Sequence, residues 1–312
     1  CGNPQHIDWS GLDGRFQRSR WWQGLHHKRW HYLGLATEEC LKGLDIVDLG
    51  WTNTAFVYVF DRQSKQLLVD YAQDGLPGLT AHVGDQPADG AASWFRHLGC
   101  ALRFAHVGGT RYHLSVKLRQ HVWIEAEVDT QGCAPFLTAI GPVGNGGCAH
   151  STVKSSALAV SGSAFAHGKT FDLTRGVASF DYSNGLLARH TEWRWASAHA
   201  PGLGFNLQQG YFGSHENALW LDGVLIPLGA AQFDFDRTHP LHPWHIYTDD
   251  GLLDLWFHPE GARQARKNLW VAASYYIQPI GCFKGTVRAS VNGPVREVQD
   301  LLGVTEDHQS RW

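Results

Sequence analysis

The chain has 312 residues, with 26 Lys or Arg against 29 Asp or Glu, so its net charge is -3. That balance supplies no basic field to hold a polyanion by counterion release, and nucleic acid is an unexpected partner. Charged residues are only 18% and aromatic residues 12%, a composition that buries a core rather than staying disordered.

In chain order, period-two patterning and turn signals dominate, and they predict an antiparallel all-β protein with little helix. Residues 54–60 are apolar on both faces and read as a doubly buried strand, joined through 61–65 to a second strand at 66–71. Residues 101–107 and 112–118 bracket Gly108-Gly109, which suits the positive φ of a tight hairpin turn. A strand follows at 121–129. His167-Gly168 separates strands at 161–166 and 170–173, and Asp222-Gly223 separates 218–221 from 224–228. Further strands are read at 245–248 and 252–257 around Asp249-Asp250-Gly251, then at 269–278 and 283–290. Only residues 91–98 and 260–268 read as short helices. The stretch 132–156, rich in small residues and without clear periodicity, reads as a seam. More than a dozen strands in meander order fit two closed barrels, residues 1–145 and 146–312, or one large sandwich, better than an α/β design.

The cysteines stand at 1, 40, 100, 133, 148 and 282 with no C-x-x-C pair, which predicts buried free thiols in a reducing compartment. Only Cys133 and Cys148 are close enough in sequence to suspect a bridge. No apolar run approaches the roughly 18–20 residues that cross a bilayer, and no charged-then-apolar leader opens the chain. The expected location is cytoplasmic, with lipid anchoring through Cys1 as the alternative. No signal for an oligomeric state is legible.

The densest polar and aromatic cluster runs from Asp181 and Tyr182 through His190 to Trp195. If 191–199 is a strand, alternation puts Trp193, Trp195, Ser197 and His199 on one face and Glu192 with Arg194 on the other. Residues 204–208 repeat the device, with Phe205 and Leu207 opposite Asn206 and Gln208, and His215, Glu216 and Asn217 follow. Such a group either pairs with itself across strands or lines a cavity, where an unpaired polar group costs roughly 1–3 kcal/mol until a ligand meets it. A second group surrounds Trp30, with Lys28 and Tyr32 on its face and Arg29 with His31 opposite, followed by Asp45 and Asp48. It reads as a ligand contact or a solvated rim. His239, His242 and His245, spaced by three in an extended Pro-containing segment, form a weak metal pattern. Without a carboxylate at a fixed offset, and without any nucleotide or nucleophile-elbow motif, no metal and no cofactor is expected.

Lys28-Arg29-Trp30, then Asp181-Tyr182 to Gly185 leading to Trp193 and Trp195, then Gly204 and Asn206 leading to Glu216-Asn217-Ala218-Leu219 and Asp222-Gly223, carry a family resemblance. Pro243-Trp244 with Ile246, and Asn268-Leu269 leading to Gly281, Phe283 and Gly285, complete it. In order and spacing these resemble the domain of unknown function 2804 family, which is similar to the carotenoid hydratase and AttH-like group. The resemblance implies paired lipocalin-like barrels and, by analogy, metal-free acid-base work on apolar polyenes. A cofactor-independent hydratase, isomerase or cyclase is therefore expected, acting on a small hydrophobic or amphiphilic ligand. Asp181 or Glu216 would supply the acid-base group, Tyr182 or His190 the partner, Asn206 the orientation, and Trp193 with Trp195 shelter for positive charge. Trp30, Glu192, Arg194, Gln208 and Asn217 are the further expected ligand contacts. A non-catalytic carrier and a carbohydrate-processing enzyme are the alternatives.

Overall fold

The computed structural model describes residues 6–119, 121–268 and 272–312. Its one α-helix among them is α1 (Arg20–His26), capped by the Ser19 hydroxyl, which accepts the Trp22 N–H. The rest is two curled antiparallel sheets forming a barrel and a half-barrel. The first sheet contains β1 (His27–Ala36), β2 (Cys40–Asp48), β3 (Asn53–Asp61), β4 (Gln66–Gly75), β5 (Ala81–Val83), β6 (Ala92–His97) and β7 (Cys100–Gly108). It continues with β8 (Arg111–Leu118), β9 (Val122–Asp129), β10 (Leu137–Pro142), β11 (Ala149–Lys154), β12 (Leu158–Ala166), β13 (Lys169–Asp172) and β14 (Val177–Leu186). The second contains β15 (His190–Ala200), β16 (Leu203–Gly210), β17 (Ala218–Leu221), β18 (Val224–Pro227), β19 (Ala231–Asp234), β20 (Trp244–Thr248), β21 (Leu253–Asn268), β22 (Ala273–Val287) and β23 (Arg296–Arg311).

The order in the first sheet is β4-β3-β2-β1-β14-β12-β9-β8-β7-β6-β5, with β11 also paired to β14. The second runs β18-β17-β16-β15-β23-β22-β21-β20-β19. The chain passes between sheets after Leu186, not at 145, because β11, β12 and β14 all hydrogen-bond within the first sheet. The expected seam at 132–156 thus holds a hairpin, β10–β11, and its small residues do not mark a boundary. Cys133 and Cys148 are both free, as are Cys40, Cys100 and Cys282; Cys1 lies outside the described residues.

Both expected helices are strands. In β6 the buried positions alternate, Ser93 and Phe95 inward and Trp94 and Arg96 outward, a period of two that the short apolar stretch had obscured. Residues 260–268 are the far half of β21, whose 16 residues pair along β22 past a bulge between Pro259 and Gly261. The two strands expected at 269–278 and 283–290 are one, β22, apart from 269–271, which lie outside the described residues. The strand β23 carried no clear sequence signal and is the centre of the second sheet.

Each sheet has its own apolar interior. Leu33, Leu35, Val57 and Phe104 lie in the first, and Phe205, Leu207, Leu255 and Phe283 in the second. The outer faces of β1–β3 and of β15, β22 and β23 meet through a third cluster, Leu41, Tyr58 and Phe60 against Trp195, Ile280, Leu302 and Val304. Within the first sheet Gly43 leaves room for the ring of its register partner Tyr58, one of the residues of this cluster: a Cβ there would sit 2.2 Å from that ring. No described helix is long and apolar enough to cross a membrane.

Candidate active site between the two sheets

Beside that third cluster the facing sheets separate around a cavity of about 460 Å³, the size of a site for a drug-sized molecule. Strand register builds its walls as two opposed rows. In the first sheet Lys154 pairs with Asp181, Asp181 with Tyr32, Tyr32 with Asp45 and Asp45 with Phe56, so five side chains on five neighbouring strands point the same way. In the second sheet Gln208 pairs with Trp195, Trp195 with Glu306, and Gln278 with Arg263. All of these residues line the cavity.

Across the cleft the rows touch. Trp195 meets Tyr32 edge-on at 5.6 Å, and the Arg263 guanidinium lies 3.8 Å over Phe56 while its Nε donates to Asp70 at 3.2 Å. Trp30 and Trp193 face each other from opposite sheets, 9° from parallel with centroids 6.3 Å apart. Glu216, in the loop between β16 and β17, reaches across to accept from the Lys154 ammonium at 2.8 Å, and Asp181 accepts from the same ammonium. One buried cation thus sits between two carboxylates.

The electrostatics follow from that count. Burial would lower the pKa of Lys154, but Asp181 and Glu216 together hold it above the ordinary lysine value. Burial raises Glu216, and the repulsion of Asp181 adds to it, because one ammonium cannot fully compensate two anions. Asp45 is pushed well above the carboxylate range by burial first and by the charges of Asp181 and Glu306 second. Its Oδ1 has no hydrogen-bond partner in the protein, nor do Oδ1 of Asp181 and both amide atoms of Gln208. Glu306, by contrast, accepts from the Trp193 indole at 2.9 Å and from Gln278 at 3.2 Å. Burial also raises Tyr211 well above its usual value and drops His150 to about 3.

Of the residues singled out in the sequence, Asp181, Glu216, Trp193, Trp195, Gln208 and Trp30 converge on this cavity. Asn206 supports it from behind: its Oδ1 accepts the Trp195 indole N–H at 2.8 Å and its Nδ2 donates to the Glu216 carbonyl at 2.8 Å. Asn217 is a backbone clamp, accepting from the Gln208 N–H at 2.7 Å and donating to the Gly229 carbonyl at 2.8 Å. Four residues do not reach the cleft. Tyr182 follows Asp181 by one position, so alternation turns it into the first barrel, where its hydroxyl donates to the Gly84 carbonyl at 2.9 Å. His190 and Glu192 are exposed at the start of β15. Arg194 turns to the opposite face of the second sheet, 3.5 Å from Asp307.

Sequence reading missed Lys154, Glu306 and Arg263 as site residues and placed Asp45 only in the group around Trp30, with no acid-base role. Asp45 was legible in principle as a lone carboxyl between Leu44 and Ile46, and Lys154 as a cation ending a strand that is buried throughout. The three histidines do not assemble. His245 bonds to Asp254 at 2.8 Å, whereas His239, His242 and Asp236 bring ligand atoms within 4.8 Å of one another in an exposed turn. That donor set suits a divalent transition metal, away from the cleft.

The family model for the Domain of unknown function (DUF2804) matches residues 11–312. The chain belongs to this family. No curated protein is detectably similar in sequence. Among solved structures, this DUF2804 chain is similar to the AttH-like protein NE1406 of Nitrosomonas europaea, at 14% identity and a TM-score of 0.55 over 91% of this chain and 92% of that one. It is also similar to kievitone hydratase of Nectria haematococca, at 10% identity and a TM-score of 0.53 over 91% of this chain and 88% of that one. At these identities the likeness is one of fold, the arrangement of two curled antiparallel sheets.

Proposed function

We propose that the protein is a cofactor-independent acid-base enzyme of the hydratase, isomerase or cyclase type, acting on a small amphiphilic molecule held between the two sheets. The observation that carries this reading is Asp45, a buried carboxyl whose pKa is pushed well above the ordinary range by burial, with an unpartnered oxygen at the wall of the aromatic-lined cavity. A neutral carboxylic acid can protonate an alkene or carbonyl at neutral pH. The indole faces of Trp30, Trp193 and Trp195 would shelter the positive charge that develops.

Asp181 stands in the same row, two strands from Asp45, a backbone separation of roughly 9–10 Å that leaves room for a substrate between the carboxyls. In a hydration, Asp45 gives its proton to one alkene carbon, water adds to the other, and the surplus proton passes to the Asp181 carboxylate. Lys154, itself held by Glu216, keeps that carboxylate in place. Kievitone hydratase is by its name a hydratase, and its shared fold supports the analogy without fixing the substrate.

Incubation with a panel of electron-rich alkenes and enones in D2O tests the reading by mass spectrometry. Solvent deuterium should enter at carbon or water should add, and Asp45→Asn and Asp181→Asn should abolish this while the circular dichroism spectrum is unchanged. A carrier without chemistry is the second reading, favoured by the largely aromatic lining. A retained, unmodified molecule in native mass spectra, with no turnover by any panel member, would favour it.

A further inference from the structure

The acid-base reading uses only part of the charge that the cleft contains. Four carboxyl groups stand at its floor with two bases, Lys154 and Arg263; Asp45, the proposed neutral acid, adds no charge, which leaves Asp181, Glu216 and Glu306 to set against the bases. Both bases are already engaged, Lys154 by two of the four carboxyls and Arg263 by Asp70 outside the lining. At the mouth Lys267 pairs with Asp74, and Arg311 is the remaining base, so the surplus of acid over base lies at the floor. A second, independent observation points to a ligand there. Asp45 Oδ1 and both amide atoms of Gln208 are buried without a partner, which is unfavourable until something meets them. Above them the Trp30 and Trp193 rings lie nearly parallel, and Trp312 extends the stack, 6.4 Å from Trp193 at 26°.

We propose that the cleft binds organic cations: molecules with an apolar body and a soft, weakly hydrated positive centre such as a tertiary or quaternary ammonium. Anions are repelled by the floor, and small inorganic cations would surrender too much hydration to an aromatic wall. A quaternary centre gives up little water, and it gains both the ring faces and the surplus carboxylate charge. The inference rests on the cleft being the ligand site proposed above, and it names the ligand's charge. It is also consistent with the proposed chemistry, since protonating an alkene creates a positive centre in the same place and a site complementary to that state holds stable cations tightly.

Titration of the purified protein with benzyltrimethylammonium and with neopentylbenzene, its neutral isostere, followed by tryptophan fluorescence, tests this. The cation should bind at least about tenfold more tightly. Glu306→Gln, whose amide oxygen still accepts from Trp193 and whose NH2 can donate to Gln278 once that side chain turns its unpartnered oxygen round, should weaken the cation severalfold and leave the isostere unchanged. Equal affinities for the two probes would overturn the charge inference while leaving the cleft as a ligand site. No response to either would overturn both, and a cation preference untouched by Glu306→Gln would remove the floor carboxylates as its cause.

Discussion

A lysine held between two carboxylates in a dry wall is intolerant of losing the positive charge. Lys154→Met should cost about 3–5 kcal/mol in urea denaturation at neutral pH, because Asp181 and Glu216 are left buried and mutually repelling. Lowering the pH protonates them, so the deficit should shrink in acid. Asp45 behaves in the opposite sense. Its folded pKa is raised above the unfolded value, so the folded state holds the proton more tightly and stability falls as pH rises from the ordinary carboxylate range through the raised value. Asp45→Asn removes that loss and should stabilise the protein at neutral pH, read as a higher urea midpoint. The gain should vanish near pH 4. These residues differ in how visible they are in the sequence. Trp193 and Trp195 could be placed on one face by counting, but Asp45 is a single acid in an apolar strand, and its importance arises only from neighbours far away in the chain.

At the scale of the strand, register does the work that no motif records. Alternation was enough to turn Asn206 and Gln208 away from Phe205 and Leu207, and to separate Arg194 from Trp195. It was not enough to say that Lys154, Asp181, Tyr32 and Asp45 would stand in one row, since their strands are β11, β14, β1 and β2, and nothing local sets their pairing. The same limit hid β6 and the far half of β21, where helix-like composition yields to pairing with β5 and β7 in the first case and with β22 in the second. Close approach has its own requirement. A methyl group at Gly43 would overlap the Tyr58 ring, whose hydroxyl bonds to Tyr32 at 2.8 Å on the cleft wall. Gly43→Ala should therefore cost about 1–3 kcal/mol by thermal unfolding and displace Tyr58 from Tyr32.

The whole molecule places its candidate chemistry at a junction that neither sheet forms alone. The first supplies Asp45, Asp181, Lys154 and Trp30, and the second supplies Glu216, Glu306, Trp193 and Arg263. Phe60 anchors the junction, against Gly261, where a Cβ would come within 2.8 Å of its ring. Phe60→Ala should cost about 3–5 kcal/mol in denaturant and loosen the cleft without altering either apolar interior. The central claim is that this junction keeps a carboxylic acid neutral at physiological pH. Infrared spectroscopy of the protein at pH 7 measures it directly. The account predicts a carbonyl band of a protonated carboxylic acid that shifts in D2O and disappears in Asp45→Asn. Absence of the band, or its survival in that variant, would contradict the account.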